Sequence, residues 1–249
     1  MAYNIFHKIE TTSTTDEIRK LLQEKNPTEF TTVYAEYQSA GRGQTGNKWN
    51  SKRRRNLLFS TLLKPWFLKA DKQFLITQIA ALSVRNVLAK YTEDISIKWP
   101  NDIYWKDQKI CGMLIENDVF GENLANSIIG IGINLNQRDM TGVGINPVSL
   151  YQIIHKEVLP KEELIDFLHN LQIQYMFLKL HQESMIQKTY ASALYRKDGY
   201  HYFIDANGTF EAYIKNVDID GTLHLMTKDG RERRYAFKEV KFVINDKKL

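Results

Sequence analysis

The chain has 249 residues, of which 34 are Lys or Arg and 29 are Asp or Glu, so its formal net charge is +5. Its hydrophobic fraction of 43% and its charged fraction of 25% exclude a disordered, collagen-like or low-complexity chain. The single cysteine, Cys111, excludes an internal disulfide and argues against a cysteine-based zinc site. Because no apolar run approaches ~18 residues and no signal peptide is recognisable, we expect a cytoplasmic protein without a membrane span.

Strand and helix periods alternate along the first 196 residues. Strands are predicted at 4–10, 31–37, 56–63, 95–99, 109–117 and 127–134. Helices are predicted at 16–22, 72–91 and 162–180, with a further helix to about residue 194. Thr14 and Glu17 match a capping box at the start of the first helix. This mixture of elements predicts an α+β domain.

The pattern changes near residue 197, where short β-rich runs begin. Asn207-Gly208, Asp220-Gly221 and Asp229-Gly230 are dipeptides typical of hairpin turns, and they separate these runs. The spacing predicts a small all-β domain or barrel. We therefore divide the chain into an α+β domain at 1–196 and a β domain at 197–249.

The positive charge is concentrated in one segment. Residues 37–70 contain eight Lys or Arg and no acidic residue, whereas acidic residues outnumber basic ones by three in the rest of the chain. This distribution argues against a general nucleic-acid-binding surface and indicates that this segment meets something anionic.

A glycine-rich loop lies in the basic segment. Gly41, Gly43 and Gly46 match the G-x-G-x-x-G pattern of dinucleotide-binding folds. That fold requires an apolar helix next and an acidic residue about 20 residues further on. Here a basic stretch follows, and the next acidic residue is Asp71, so we reject this fold. Glycines still let backbone N–H groups approach an anionic ligand closely.

Three motifs in this chain resemble those of biotin protein ligases. Residues 35–49 are similar to the family's signature loop, residues 98–116 to its Lys-Trp-Pro-Asn-Asp block and lysine strand, and residues 130–136 to its glycine-rich strand. Ser13-Thr14 resembles the serine-threonine pair that follows the family's first strand. The order and spacing agree over essentially the whole chain.

The resemblance implies a fold and an activity. The fold is a mixed β-sheet catalytic domain with helices on one face, followed by a small C-terminal Src-homology-3-like β-barrel, without the DNA-binding domain of some relatives. The activity is ATP-dependent formation of biotinyl-5′-AMP, with Mg²⁺, and transfer of biotin to a lysine of a biotin carboxyl carrier protein or domain. Partners are biotin, ATP and the carrier, with no DNA and no membrane, and the protein is a monomer or a homodimer.

The resemblance also implies roles for individual residues. Catalytic roles fall to Lys109, Arg42 and Asp102. Biotin contacts fall to Ser13, Thr14, Gln38, Gly41, Arg42, Lys109 and Gly112. ATP contacts fall to Gln44, Asn47, Trp49, Lys98, Asn101 and Asn134. Asp102 either binds Mg²⁺ or helps to deprotonate the incoming lysine amine, and Thr14 either contacts the ureido ring or only caps the helix.

Four positions depart from the family pattern: Gln44, Asn47, Thr15, which replaces an asparagine common after the serine-threonine pair, and Cys111, where a small residue is usual. Many relatives carry arginine where this chain has Gln44 and Asn47, so we expect weaker retention of the adenylate unless Arg53, Arg54 or Arg55 compensates. Two other functions remain as alternatives. A lipoate ligase would share the fold, but its usual loop is absent, and a nucleic-acid-binding protein would use residues 37–70.

Overall fold

A computed structural model describes residues 3–44 and 48–244 of the chain. The first part of the chain forms a seven-stranded sheet in the order β1-β2-β3-β7-β6-β5-β4. The strands are β1 (Ile5–Lys8), β2 (Thr32–Ala35), β3 (Leu57–Leu63), β4 (Ile95–Lys98), β5 (Asp102–Trp105), β6 (Gln108–Phe120) and β7 (Asn123–Ile133). The sheet is mixed, because β1 and β2 are parallel and the other neighbours are antiparallel.

Five α-helices accompany this sheet in the described part of the chain. They are α1 (Thr14–Glu24), α2 (Phe74–Leu88), α3 (Leu150–Ile154), α4 (Pro160–Lys179) and α5 (Glu183–Ser192). A short 3-10 helix at Ala70–Lys72 precedes α2. None of the helices in these described ranges is long and apolar enough to cross a membrane.

Helices pack on both faces of the sheet, which corrects the prediction of helices on one face. Alternate residues of a strand point to opposite faces. Phe59 and Leu63 of β3 join the main core, which contains α2 and α4, whereas Leu62 packs against Ile18 of α1 on the other face. Helix α1 covers only part of its face, so the central strands leave an open surface beside it.

A second, five-stranded antiparallel sheet follows in the order β11-β10-β9-β8-β12. Its strands are β8 (His201–Asp205), β9 (Gly208–Val217), β10 (Leu223–Thr227), β11 (Glu232–Tyr235) and β12 (Lys241–Phe242). The three predicted hairpin dipeptides all lie at turns between its strands. The glycines of these dipeptides have positive φ, which is the backbone conformation that selects glycine in such turns.

The second sheet packs against the first domain around Trp99. The indole Nε1 of Trp99 donates to the carbonyl of Gly221, at 2.9 Å, and its ring contacts Phe237 at a centroid distance of 5.4 Å. Phe74, at the start of α2, contacts the same Phe237 ring at 5.7 Å. The turn after β4 is therefore held from the side of the second sheet.

Candidate active site

A cavity of about 140 Å³ opens on the face of the central strands that α1 only partly covers. Most of the residues predicted to carry chemistry line it. They are Ser13, Thr14, Gln38, Arg42, Gln44, Trp49, Asn101, Asp102, Lys109 and Gly112. Gly41, Lys98 and Asn134 lie outside its wall, and Asn47 lies outside the described residues.

Glycines form the floor of this cavity. Gly112 of β6 pairs with Gly132 of β7, and Gly130 lies two residues further along the same face. The indole of Trp49 covers this floor, because a Cβ at Gly132 would lie 2.6 Å from Trp49 Nε1 and one at Gly112 would lie 2.8 Å from Cζ3. A larger residue at either glycine would therefore fill the space of the indole.

Lys109 and Asp102 form an ion pair at this floor. Lys109 Nζ lies 2.7 Å from Asp102 Oδ1, and both side chains are largely buried. The backbone of Lys109 is held on its other edge, where its N–H donates to Asn146 O at 2.8 Å and its carbonyl accepts from Val148 N at 2.9 Å. The ammonium is thus fixed beside the cavity and 5.9 Å from the centre of the Trp49 ring.

Lys98 lies behind the ion pair rather than in the cavity wall. Lys98 on β4 lies opposite Asp102 on β5 in the register of the two strands. Its Nζ lies 4.9 Å from the ring centre of Phe242 and 5.5 Å from that of Tyr104. Burial, with a smaller contribution from Lys109, lowers the pKa of Lys98, and the opposite effect of Asp102 does not compensate.

Two asparagines are anchored by backbone contacts. Asn101 Nδ2 donates to the carbonyl of Met113 and so fixes the turn after β4 to β6. Asn134 is buried, and its Nδ2 donates to Val148 O at 3.1 Å. Asn134 Oδ1 accepts no hydrogen bond from any residue that the structure describes. A buried acceptor without a partner is unfavourable, so this oxygen is suited to an N–H donor of a ligand.

The predicted capping box at α1 is wrong. Ser13 is the N-cap residue, and its side chain makes no capping hydrogen bond. The backbone N–H and the hydroxyl of Thr14 both approach Gln38 Oε1, at 2.7 and 3.0 Å, while Glu17 accepts from Thr11. Tertiary contact with Gln38 replaces the local cap, so the Thr14 side chain faces the cavity and not the helix end.

The glycine-rich loop turns back on itself at the cavity mouth. Trp49 N donates to Gly41 O at 2.9 Å, and a Cβ at Gly41 would lie only 2.6 Å from Trp49 O. Arg42 is engaged by two carboxylates, with Nη2 at 2.7 Å from Asp16 and 3.2 Å from Glu116. β3 follows at Leu57, with no intervening helix in the described residues, in agreement with the rejection of a dinucleotide-binding fold.

The three consecutive arginines are paired with acids from other parts of the chain. Arg53 pairs with Glu10 at 2.6 Å, Arg54 with Glu36 at 2.6 Å and Arg55 with Glu157 at 3.1 Å. None of the three lines the described cavity. Compensation for Gln44 and Asn47 by these arginines therefore finds no support in the arrangement.

The sequence predicts no role for two residues at the polar end of the cavity, one of which, Thr15, is a departure from the family pattern. Thr15 lines the cavity, and Ser60 lies behind it, 3.0 Å from the Thr15 hydroxyl. Ser60 belongs to an apolar strand, and its contact with α1 depends on the packing of the helix on β3. A metal site of three or more His, Cys, Asp or Glu ligands does not occur among residues 3–44 and 48–244.

Comparison with known proteins agrees with this geometry. A model of the biotin/lipoate A/B protein ligase family matches residues 6–134. The chain is 30% identical over 234 residues to the bifunctional ligase/repressor BirA of Bacillus spizizenii, covering 90% of this chain and 70% of that protein. It is 30% identical over 159 residues to the biotin–protein ligase of Homo sapiens, covering 60% of this chain and 22% of that one.

A solved structure extends the similarity to both sheets. The biotin protein ligase of Aquifex aeolicus, in complex with biotin and ATP, superposes with a TM-score of 0.77 at 27% sequence identity. The superposition covers 96% of this chain and 97% of that one.

Proposed function

Because the chain belongs to the biotin/lipoate A/B protein ligase family, we propose that it is an ATP-dependent biotin protein ligase. It would activate biotin as biotinyl-5′-AMP and transfer it to a lysine of a biotin carboxyl carrier protein or domain. The observation that carries this proposal is the Lys109–Asp102 ion pair beside a glycine-floored cavity, with Thr14 and Gln38 at the polar end of that cavity.

Biotin is favoured over lipoate as the substrate. The family includes both classes, but the similar protein of Homo sapiens is named a biotin–protein ligase, and the similar Aquifex aeolicus structure is a biotin protein ligase that holds biotin and ATP. The polar end of the cavity also suits a ligand with a hydrogen-bonding head, because hydroxyl and amide groups from Ser13, Thr14, Thr15 and Gln38 line it.

The first step joins two anions. A carboxylate oxygen of biotin attacks the α-phosphorus of ATP, and diphosphate leaves. The Lys109 ammonium is held at a fixed place beside the cavity, so it can lie between the carboxylate and the α-phosphate without reorganising. We assign Arg42 to the mouth of the same site, where it helps to retain the bound biotin.

The nucleotide would lie along the other end of the site. Asn134 Oδ1 is a buried acceptor that suits the 6-amino group of adenine, and the indole of Trp49 offers a flat surface to the base. Gln44 and Asn47 would contact the phosphates as neutral donors, and Lys98 would act on them from behind Asp102. Asn101 would hold the turn that carries Asp102.

Mg²⁺ fits this site only together with ATP. Asp102 is the single carboxylate among the cavity-lining residues that the structure describes, and Mg²⁺ is commonly held by one or two carboxylates with substrate phosphates and water. When bound, the ion neutralises charge on the phosphates. Asp102 would then be its protein ligand, or it would accept the proton of the attacking lysine amine in the second step.

Several coarser features belong to the same proposal. The change of sequence pattern near residue 197 supports a division into domains at 1–196 and 197–249. The family supports the assignment of the second sheet to the Src-homology-3-like barrels, and a cytoplasmic location is proposed with them. A monomer and a homodimer remain alternatives.

Transfer of labelled biotin to a carrier domain tests the function. The intact chain should label the carrier only when ATP is present. We expect Lys109→Ala to lose adenylate formation by at least about 100-fold while it stays folded, because the charge that bridges the two anions is gone. Lys106→Ala is the matched control, since it removes an exposed lysine from the preceding turn. Near-normal adenylate formation by Lys109→Ala would contradict the assignment.

A further inference from the structure

A chain of buried hydroxyl groups lies at the polar end of the cavity. Thr14 and Thr15, at the start of α1, line the cavity, and Ser60 of β3 lies directly behind them. The Ser60 hydroxyl is 2.8 Å from that of Thr14 and 3.0 Å from that of Thr15. The absence of a side chain at Gly130 leaves room for the Thr15 hydroxyl, because a Cβ at Gly130 would lie 2.9 Å from Thr15 Oγ1.

The direction of every hydrogen in this chain follows from one backbone donor. Thr14 N lies 2.7 Å from the Gln38 side chain, and a backbone N–H can only donate, so the atom beside it is the carbonyl oxygen Oε1. The Thr14 hydroxyl, 3.0 Å from the same oxygen, must donate to it as well. A hydroxyl has one hydrogen. Ser60 therefore donates to Thr14, and Thr15 donates to Ser60.

This order gives the cavity a fixed polarity. With their hydrogens directed to Gln38 and Ser60, Thr14 and Thr15 present only lone pairs to a ligand. Gln38 Nε2, beside Gly41, presents N–H donors at the same end. The resulting set of two acceptors and one donor is complementary to a cyclic urea, which has two N–H donors and one carbonyl acceptor.

We infer that Ser60 is a positioning residue that sets this polarity and thereby makes the site specific for a cyclic urea. The inference rests on the proposed function. Ser60 does not touch the ligand; it accepts the Thr15 hydrogen and so turns the Thr15 lone pairs towards the cavity. A ring that carries oxygen in place of the N–H facing Thr15 would bring lone pair against lone pair.

Binding of biotin and its two cyclic carbamate analogues tests this role. In each analogue one ureido N–H is replaced by a ring oxygen. The disfavoured carbamate is the one whose ring oxygen faces Thr15. We expect the wild type to bind biotin at least about 100-fold more tightly than this carbamate, because a polar group left unpaired or opposed is costly. In Ser60→Ala the Thr15 hydroxyl is free to donate to the ring oxygen, so this preference should fall by about tenfold or more.

Two further variants separate this role from a structural one. Thr15→Val removes the opposing lone pairs, so it should lose the same preference, and adding Ser60→Ala to it should cause no further loss. Ser127→Ala is the matched control, because Ser127 is an equally buried serine on the other face of the same sheet; its preference should equal that of the wild type. A merely structural effect of Ser60→Ala would weaken biotin and carbamate equally.

The outcomes distinguish this inference from the proposed function. Failure of the wild type to bind biotin would remove the proposed function. Biotin binding with an unchanged biotin-to-carbamate preference in folded Ser60→Ala would overturn the role of Ser60 alone. If Ser60→Ala does not fold, an unchanged preference in Thr15→Val is sufficient to overturn it.

Discussion

Two of the three cationic side chains that line the described cavity already have anionic partners; the third is Lys48. Lys109 is paired with Asp102 at 2.7 Å, and Arg42 is shared between Asp16 and Glu116. A triphosphate entering the site therefore meets cations that are partly neutralised. Gln44 lines the mouth of the same cavity as a neutral residue.

Gln44→Arg should slow the loss of the adenylate from the enzyme. The substitution adds a cation that can form a charge-assisted pair with a phosphate, which is worth about 1.5–3 kcal/mol when desolvated, or roughly 10- to 100-fold in the dissociation rate. The measurement is release of labelled biotinyl-5′-AMP in a chase experiment. Gln44→Lys and Gln44→Met serve as controls for point charge and for bulk. Equal release rates in the wild type and Gln44→Arg would contradict the expected role.

Lys98 should give ATP binding an alkaline limit below the usual lysine range. Its lowered pKa means that the ammonium loses its proton before the ordinary value of 10.5 is reached. We expect kcat/KM for ATP to fall as pH rises through this lowered pKa. Lys98→Arg keeps its charge to above pH 12, so this limit should disappear.

The stability of the wild type should change in the opposite direction. Because the unfolded chain binds the Lys98 proton more tightly, the free energy of unfolding should gain a contribution as pH rises from the lowered pKa towards 10.5. Melting temperatures of the wild type and Lys98→Met over that range measure it. If the alkaline fall in kcat/KM for ATP persists in Lys98→Arg, a group other than Lys98 causes it.

At the scale of elements, the central strands serve two purposes at once. Phe59 of β3 and Ile131 and Ile133 of β7 point into the core with α2 and α4, while Gly130 and Gly132 point to the cavity face. A shift of one residue in register would put isoleucine side chains in the cavity. The alternation of glycine and isoleucine therefore specifies the site and the core together.

The second sheet contains a histidine held between two carboxylates. His224 is buried, with Nδ1 at 2.6 Å from Glu232 and Nε2 at 2.7 Å from Asp218. A hydrogen bond from Lys215, with a smaller contribution from the hydrogen bond to His224, lowers the pKa of Glu232 to about 2. These groups connect β9, β10 and β11.

Acid should weaken this sheet through Glu232. A lowered carboxyl pKa contributes stability that is complete above the ordinary value of 4.5 and is lost as pH falls towards about 2. Glu232→Gln should lower the melting temperature at pH 7. Between pH 4.5 and 2, the melting temperature of this variant should fall by less than that of the wild type. Circular dichroism melts measure both, with Glu211→Gln as the control, since Glu211 pairs with Lys228 away from the histidine. Parallel acid profiles for the wild type and Glu232→Gln would contradict the assignment.

At the scale of the whole molecule, folding pairs most of the positive charges of the basic segment with acidic residues. Lys52, Arg53, Arg54 and Arg55 each pair with an acidic residue that is distant in the sequence or on another element. Pairs of this kind are exposed and individually weak, but they remove the contiguous positive face that a polyanion would need.

Duplex DNA should therefore bind only weakly. We expect no salt-sensitive association at about 150 mM salt, where the Debye length is about 8 Å. In the same buffer, biotin with Mg·ATP should raise the melting temperature by mass action. Fluorescence anisotropy with a labelled duplex and a thermal-shift assay make the two measurements. Tight DNA binding that weakens steeply with salt would favour the nucleic-acid alternative.

Most elements could be predicted from the sequence because their signals are local. The strand and helix periods and the three hairpin dipeptides correspond to elements of the structure. The residues that line the cavity were predicted mainly through the family motifs. The capping box was wrong because Gln38, 24 residues away, competes for the Thr14 hydroxyl.

The sequence by itself determined the α+β class, the change to short strands near residue 197 and the family. These depend on side-chain period, on turn chemistry and on motif spacing, which act over a few residues. Only the tertiary structure decided the partners: that Arg53 to Arg55 are paired away from the cavity, that α1 lies on the cavity face, and that Ser60 joins Thr14 and Thr15. The physical reason is that hydrogen bonds and ion pairs form between groups that only the packing of distant segments brings within about 3 Å of each other.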